Sequence, residues 1–434
     1  MAGIVIKKWN GEKSNSSECK NQGYIDEIND PFARQKLVSW WDQDKISEAK
    51  VLVMGAGAIG NETLHNLALL GFRQIFICDM DTIEMSNLSR TLLFRKTDEG
   101  KKKAEVAAER VRDMCLADDC CVDSFCGDIM YELGVGIFRH FDIVLGCLDN
   151  DATRFYIDRN CTMFGKPWIN AGISELSVGL QLIYSKVSGA CFHCGESPDV
   201  IARVMSRKAS CGKTAIADLK TGKIPTIQVA SAIVAGLQTQ EAVKFVCGKN
   251  VDWGKNYYFQ GTKNSFDVSC MRHDDNCIHN VLTEITGIIE LNNITNKSTL
   301  EALLNELSMC IPDARHLTID LSEEQGRDYV RSGYCTYCGE EVLINIPHYK
   351  FKDEMAICEK CRNAASNNEE ASEPIVNTIK YYSKDTEYDI QQLTLGELGI
   401  PPLHVLKVVD EEENEYYVEI TGDLKIIAPN IFGK

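Results

Sequence analysis

The chain predicts an α/β fold: a Rossmann-like, doubly wound and mostly parallel sheet, followed by a cysteine-rich ribbon region and a small α+β domain. Three observations carry this. Residues 51–60 read Val-Leu-Val-Met-Gly-Ala-Gly-Ala-Ile-Gly, a buried strand running into a glycine turn and a helix start, and Ile77-Cys78-Asp79 ends a second strand. That spacing is the fingerprint in which glycines let a backbone approach a phosphate at a helix N-terminus. Short apolar strands then alternate with helical patterns as far as residue 170, which implies parallel pairing. Beyond residue 330 two Cys-x-x-Cys pairs interrupt a different texture of short strands.

In chain order, residues 1–23 are polar and read as a flexible N-terminal arm. Residues 24–48 read as helical, anchored by Phe32, Leu37, Trp40 and Trp41. A βαβ unit follows: strand 50–54, helix 59–70, strand 74–79. Then come a helix at 100–116, strands at 121–125 and 142–147, a helix at 151–163 and a strand at 167–170. Residues 173–186 alternate as extended chain, 226–247 form an apolar helix, and 256–269 form a strand pair. Near 281 the character changes, with one amphipathic helix at 297–309. The acidic, Asn- and Ser-rich stretch 363–373 reads as a linker. The tail carries strand signals at 377–382, 403–409 and 414–420 and a short helix near 393–398. The expected parts are therefore the arm 1–23, a nucleotide-binding domain 24–280, a small α+β region with a ribbon 281–370, and a terminal domain 371–434.

Composition excludes several classes. A net charge of −17 argues against a nucleic-acid binder, which needs a basic stripe. There is no apolar run of about 18 residues for a membrane span and no secretory signal pattern, so no membrane association and a cytoplasmic location are expected. The 19 cysteines include the pairs Cys191/Cys194, Cys335/Cys338 and Cys358/Cys361. In a reducing compartment such pairs are metal ligands more often than disulfides.

The residues after the glycine turn decide the chemistry. Asp79 and Asp81 end the second strand, Asn87 and Arg90 follow, Gly100-Lys-Lys-Lys103 opens a helix, and Asp149-Asn150 closes the series. All sit where a doubly wound sheet binds ligands. Asp79 can hold ribose hydroxyls, Arg90 and Lys103 can neutralise phosphates, and Asp149 can hold Mg²⁺ through oxygen. A dehydrogenase needs neither a magnesium carboxylate nor a second cation, so the set favours ATP over NAD.

These motifs resemble the ThiF/MoeB group and the ubiquitin-activating enzymes. The resemblance covers about 30–260 and rests on Gly55/Gly57/Gly60 with Ala58 and Ile59, Asp79/Asp81, Ser86-Asn87-Leu88-Ser89-Arg90, Gly100 to Lys103, and Asp149-Asn150. It implies Mg·ATP-dependent adenylation of the C-terminal glycine of a ubiquitin-like protein, with pyrophosphate leaving. It also implies a homodimer in which Arg34, in Ala33-Arg34-Gln35, reaches the nucleotide of the partner subunit.

The resemblance further implies a structural Zn²⁺ on Cys191 and Cys194. The expected second pair is Cys270 and Cys277, spaced by seven positions rather than three; His193 and His273 are possible substitutes. Cys335, Cys338, Cys358 and Cys361 have zinc-ribbon spacing, with 19 residues between the pairs, and a redox dithiol is the alternative. Cys211, in Ser210-Cys-Gly-Lys-Thr214, occupies the crossover where thioester-forming members place a nucleophile, and Lys208 and Lys213 favour its thiolate. The segment Thr394–Val409 with Tyr416–Ile420 is similar to the β-grasp, ubiquitin-fold domain that ends ubiquitin-activating enzymes and recruits a conjugating enzyme. The rivals are an adenylyltransferase for a sulfur-carrier protein or small peptide without an enzyme thioester, a nucleotide-binding scaffold, and an NAD oxidoreductase.

Overall fold

The computed structural model describes residues 29–117, 119–196, 199–201, 226–281, 284–324, 326–362 and 374–433. The chain divides into two compact units, Met1–Trp41 and Asp42–Lys434. The described part of the first holds one short helix, Ala33–Lys36, with Lys36 bridged to Asp30 at 2.6 Å. The helix expected over 24–48 is therefore corrected. A fresh helix, Gln43–Glu48, starts in the second unit because the Asp42 side chain accepts from the Lys45 N–H and caps it.

The second unit is built on an eight-stranded sheet. Its strands are β1 (Lys50–Met54), β2 (Gln74–Cys78), β3 (Cys121–Phe125), β4 (Ile143–Gly146), β5 (Trp168–Ser174), β6 (Ser177–Ile183), β7 (Lys255–Gln260) and β8 (Ser265–Cys270). Their order is β3-β2-β1-β4-β5-β6-β7-β8. The first five pair in parallel and the last three run antiparallel to their neighbours. The order reverses at β1/β4, which puts the ligand crevice beyond the carboxyl ends of those two strands. Strand β1 is apolar without alternation and fully buried after Lys50, as a strand covered on both faces must be. The helices Ala58–Leu70, Lys103–Met114, Asp151–Met163 and Gln228–Val246 lie within two residues of the expected ones, apart from the later start of the second at Lys103. Among the described residues no helix is long and apolar enough to cross a membrane.

A second sheet has five strands: β9 (Ile289–Glu290), β10 (Thr318–Asp320), β14 (Tyr381–Tyr382), β15 (Val405–Val409) and β16 (Glu415–Glu419), in the order β14-β10-β15-β16-β9. The helix Leu300–Cys310 buries Leu300, Leu303, Leu304 and Leu307 in one core with Ile319, Leu406, Val408 and Val418 of this sheet. One helix thus lies on a mixed sheet, in which β9 pairs parallel with β16 and the other neighbours are antiparallel. Its strands come from both sides of the boundary that the sequence suggests at 370/371. Between β10 and β14 the chain makes a third sheet, β12-β11-β13, from β11 (Tyr329–Tyr334), β12 (Glu341–Pro347) and β13 (Val376–Ile379). This ribbon is thus inserted into the α+β domain. The short helix expected near 393–398 lies instead at Tyr388–Gln391, and 395–399 is a turn. Of the described cysteines Cys115 and Cys120 pair, five positions apart, and the others are free thiols.

Candidate functional site

The glycine turn separates into residues that the fold requires and one that it leaves open. Gly55 has φ +101°, and a Cβ there would meet the Cys147 carbonyl oxygen at 2.6 Å. A Cβ on Gly60 would stand 2.0 Å from the Gly55 carbonyl oxygen, so only glycine lets helix and turn close together. Gly57 differs: a Cβ there would meet nothing within 4 Å. Nothing in the chain itself demands a glycine at 57, whereas a phosphate approaching the backbone would. Gly57 is also the N-cap of Ala58–Leu70 and brings no side-chain cap, so the amides of the first turn, beginning at Ala58 and Ile59, face an open anion site.

Around this turn the acidic and basic residues form one chain of contacts. Asp79 accepts from the Ala56 N–H at 2.7 Å and from the Asp81 N–H at 2.8 Å. Burial pushes its carboxyl up, and Lys103 and the two backbone donors partly offset that. With two donors bound, the carboxylate keeps further lone pairs for ribose hydroxyls. Asp81 is exposed, and its carboxylate meets the Lys103 ammonium at 2.7 Å. Lys103 opens its helix as a buried residue, and its backbone N–H donates to the Asp81 carbonyl at 3.0 Å. A buried ammonium on an exposed carboxylate has a partner that an incoming phosphate can replace.

Five other expected residues stand outside these contacts. Asn87 caps the 3₁₀ turn Met85–Asn87 by accepting from the Glu84 N–H at 2.9 Å. Arg90 is half-buried and donates to the Ser86 carbonyl at 2.7 Å. Asp149 is exposed just beyond β4, on the crevice side, and Asn150 caps Asp151–Met163 by accepting from the Thr153 N–H at 2.8 Å. A single exposed carboxylate suits Mg²⁺, which takes one or two protein carboxylates and completes its shell with phosphates and water. Arg34 lies on Ala33–Lys36 in the first unit.

Some residues that shape the site have no signal in the motifs. Asn61 is fully buried; its amide donates to the Ala56 and Gly57 carbonyls at 2.7 and 3.0 Å and its oxygen accepts from the Leu93 N–H at 2.9 Å. It clamps the turn to the segment after Arg90. Gln238, on the helix that reads as purely apolar, is also fully buried and ties the Gly146 and Ile169 carbonyls together at 3.1 and 2.8 Å, with Thr63 as its donor at 2.8 Å. Arg154 donates to the Leu148 carbonyl at 2.6 Å and lines a cleft of about 270 Å³ with Asn170, Gln181, Asn256 and Tyr257. The cleft is half open, and Leu180 and Phe192 line it beside these polar groups. A polar side chain on a helix facing the sheet is the one clue that could have found Asn61 and Gln238.

Cys191, Cys194 and Cys277 converge. Their sulfurs lie within 4.8 Å of one another, with Cys191 3.6 Å from each of the other two. Tetrahedral zinc with Zn–S near 2.3 Å spaces its sulfurs by about 3.8 Å, so these thiols fit the ion. Cys270 is corrected: it ends β8 as an exposed residue and takes no part in the cluster. Two imidazoles stand near the three thiols. Nδ1 of His193 is 3.4 Å from the Cys277 sulfur, and buried His279 lies within 4.8 Å of Cys191. His273 is exposed and faces Asp275 at 3.8 Å. Fully buried Asp158 accepts from the Phe192 N–H at 2.9 Å and stands 3.1 Å from His279, so it organises both sides of the cluster.

Cys335, Cys338, Cys358 and Cys361 form a second group, again with all sulfurs within 4.8 Å. Cys211 lies outside the described residues. Two cysteines nearer the crevice, Cys78 and Cys147, are buried, and burial pushes both thiols up, Cys147 to about 12. Neither carries the thiolate that a nucleophile needs.

The model of the ThiF family matches residues 32–279, more than half of the chain. The chain belongs to the ThiF family. It is 37% identical over 165 residues to the SUMO-activating enzyme subunit uba-2 of Caenorhabditis elegans, a stretch of 37% of this chain and 28% of that protein. Over 152 residues it is 40% identical to the SUMO-activating enzyme subunit 2 of Dictyostelium discoideum, covering 35% of this chain and 22% of that one. The chain thus spans under a third of the length of these relatives. Among solved structures, Escherichia coli MccB with ATP is similar at a TM-score of 0.49 and 21% identity, over 59% of this chain and 76% of that one.

Proposed function

We propose that this ThiF-family chain activates a ubiquitin-like protein by adenylating its C-terminal glycine with Mg·ATP. The observation that carries the reading is the run of contacts from the Ala56 amide through Asp79 and Asp81 to the Lys103 ammonium, set beside an open Gly57. Identity to subunits of SUMO-activating enzymes supports it. In the reaction the amides of Ala58 and Ile59 hold phosphate oxygens, and Asp79 holds the ribose. Lys103 moves from Asp81 to the phosphates. Arg90, and Arg34 acting across a homodimer, neutralise the charge that develops as the carboxylate oxygen bonds to the α-phosphorus and pyrophosphate departs. Asp149 would hold Mg²⁺, which would supply further countercharge, and Asn150 fixes the helix behind it. The tail enters by the cleft along Arg154, Asn170 and Gln181.

In the second half-reaction the Cys211 thiolate attacks the acyl-adenylate, AMP leaves, and the thioester passes to a conjugating enzyme recruited by the β-grasp-like domain. Burial of Cys78 and Cys147 supports Cys211 by removing competitors. Cys191, Cys194 and Cys277 would hold a structural Zn²⁺, with a neighbouring imidazole available as fourth donor, and the free thiols suit a reducing cytoplasm. The test is a panel of glycine-terminated ubiquitin-like proteins assayed for ATP–pyrophosphate exchange and, on non-reducing gels, for a thiol-sensitive adduct. Exchange plus an adduct abolished by Cys211→Ala is expected. Exchange without an adduct selects the sulfur-carrier or peptide adenylyltransferase. Nucleotide binding without exchange selects a scaffold, and preference for NAD overturns the reading.

A further inference from the structure

The ribbon lies outside the residues matched by the family model, and the proposed chemistry does not use it. We propose that Cys335, Cys338, Cys358 and Cys361 bind one Zn²⁺ as a closed four-thiolate site, and that this zinc staples the ribbon, and through it the α+β domain, to the eight-stranded sheet.

The ligand geometry comes first. The four sulfurs lie within 4.8 Å of one another, with Cys338 and Cys358 3.5 Å apart, close to the tetrahedral spacing of about 3.8 Å. Both knuckles are turned for a metal: the Gly339 N–H donates to the Cys335 carbonyl at 2.8 Å, the Cys361 N–H donates to the Cys358 carbonyl at 3.0 Å, and Gly339 supplies the left-handed φ of +74°. Two pairs reached from opposite ends of the ribbon close a loop through the ion.

The energetics say why an ion is needed. Among the described residues the ribbon's own core holds Val330, Phe351 and Ala356 as buried apolar residues, flanked by half-buried Ile344, Ile346 and Val376. Burial of three such side chains falls far below the entropy of ordering three strands and their loops. A four-thiolate zinc binds only the folded ribbon, so its binding free energy adds to the folding free energy.

The staple follows from where the ribbon is attached. At its base the Arg327 guanidinium donates to the carbonyls of Met130 at 2.8 Å and Tyr131 at 3.2 Å, both in the segment after β3. Tyr349 stacks flat on Tyr131, with centroids 5.0 Å apart and planes 6° apart. The same Arg327 meets Glu324 at 2.9 Å, and Glu324 meets buried His404, two residues after the Pro402 carbonyl that accepts from the Gly134 N–H. Tyr349 follows the end of β12 at Pro347 by two positions and precedes Phe351 of the ribbon core by two, and its N–H donates to the Gly326 carbonyl at 3.0 Å. Unfolding the ribbon therefore releases Tyr349 and Arg327 from the eight-stranded sheet.

The experiment measures zinc per chain and backbone amide exchange on the full-length protein. Cys338→Ser with Cys361→Ser is expected to lose one zinc per chain relative to wild type and to speed exchange at 129–136 and 402–406 by about tenfold or more. Tyr349→Ala is expected to keep the zinc and speed exchange at the same amides. If the double variant does not accumulate, graded chelation of the wild type reads the same amides as the ribbon zinc leaves. Unchanged zinc content in the double variant overturns the site, as does recovery of the four cysteines as disulfides without metal. Zinc loss with unchanged exchange at 129–136 overturns the staple, and so does Tyr349→Ala with no effect there. ATP–pyrophosphate exchange is not the readout, so failure of the adenylation reading leaves this result distinct.

Discussion

At the carboxyl edge of β1 and β2 the chain makes its site from neighbours in sequence: Gly55, Gly57, Gly60, Asp79, Asp81 and Lys103 span fewer than fifty positions and are joined by short local contacts. At the joint between the two large sheets the partners are far apart. Glu419 of β16 is fully buried between Arg139 and His140, the latter at 2.6 Å, and Arg139 also pairs with Glu290. Gly136 allows this approach, since a Cβ there would stand 2.4 Å from the Glu419 carboxylate. The first region is cheap to order and open to ligand. The second is dry, ionic and non-local, and it holds shape without offering a crevice. Charge is placed for chemistry in one and for position in the other.

This contrast is sharpest where charge is removed. Arg139→Ala leaves the buried Glu419 carboxylate with His140 alone, and a broken buried pair of this kind costs about 2–4 kcal/mol, read as a shift in urea midpoint. By contrast the Lys103–Asp81 pair has an exposed carboxylate, and its loss costs about 1 kcal/mol or less. Two glycines divide the site itself in the same way. Gly60→Ala forces a Cβ against backbone and is expected to destabilise by about 1–3 kcal/mol. Gly57→Ala is expected to change stability by less than about 0.5 kcal/mol while weakening ATP binding about tenfold or more, measured by calorimetric titration. Equal stability losses at 57 and 60 would contradict the division between fold and ligand glycines.

The smallest expected effect is in the pH dependence of the joint. Burial, the largest influence on His404, pushes its pKa below the ordinary 6.5, against the pull of Glu324 and with the help of Arg327 and Arg159. Burial pushes Glu324 up, but His404, Arg327 and Arg159 outweigh it and hold it below the ordinary 4.5. For both groups the unfolded chain binds more protons, so stability rises with pH. It should be flat above about pH 6.5, fall below that as unfolded His404 protonates, and fall again as pH drops through the folded value of Glu324. Replacing His404 with Gln should flatten the first fall and leave the second.

The proposed nucleotide edge follows from the sequence because phosphate chemistry fixes residue types at fixed offsets along one βαβ unit. Strand β1, the turn and Asp79 follow from a run of about thirty residues. Asn61 and Gln238 were not legible, since a polar residue in an apolar helix carries no mark of which carbonyl it will reach across the sheet. Cys270 read as a ligand by distance along the chain, yet its strand ends exposed while buried imidazoles stand beside the three thiols. The ribbon's cysteines were legible, but not its insertion between β10 and β14, because five-strand pairing across some sixty residues leaves no local period. Helix 24–48 failed for a local reason: Asp42 caps a new start.

The most direct test of the adenylation site is ATP–pyrophosphate exchange by Lys103→Ala beside the wild type, with the cognate glycine-terminated protein and with stability measured on the same samples. A buried ammonium that transfers from Asp81 to the phosphates predicts a fall in exchange of about 10²–10³-fold at a urea midpoint close to wild type. Exchange within about twofold of wild type would contradict the account, because Lys103 would then be only the surface partner of Asp81.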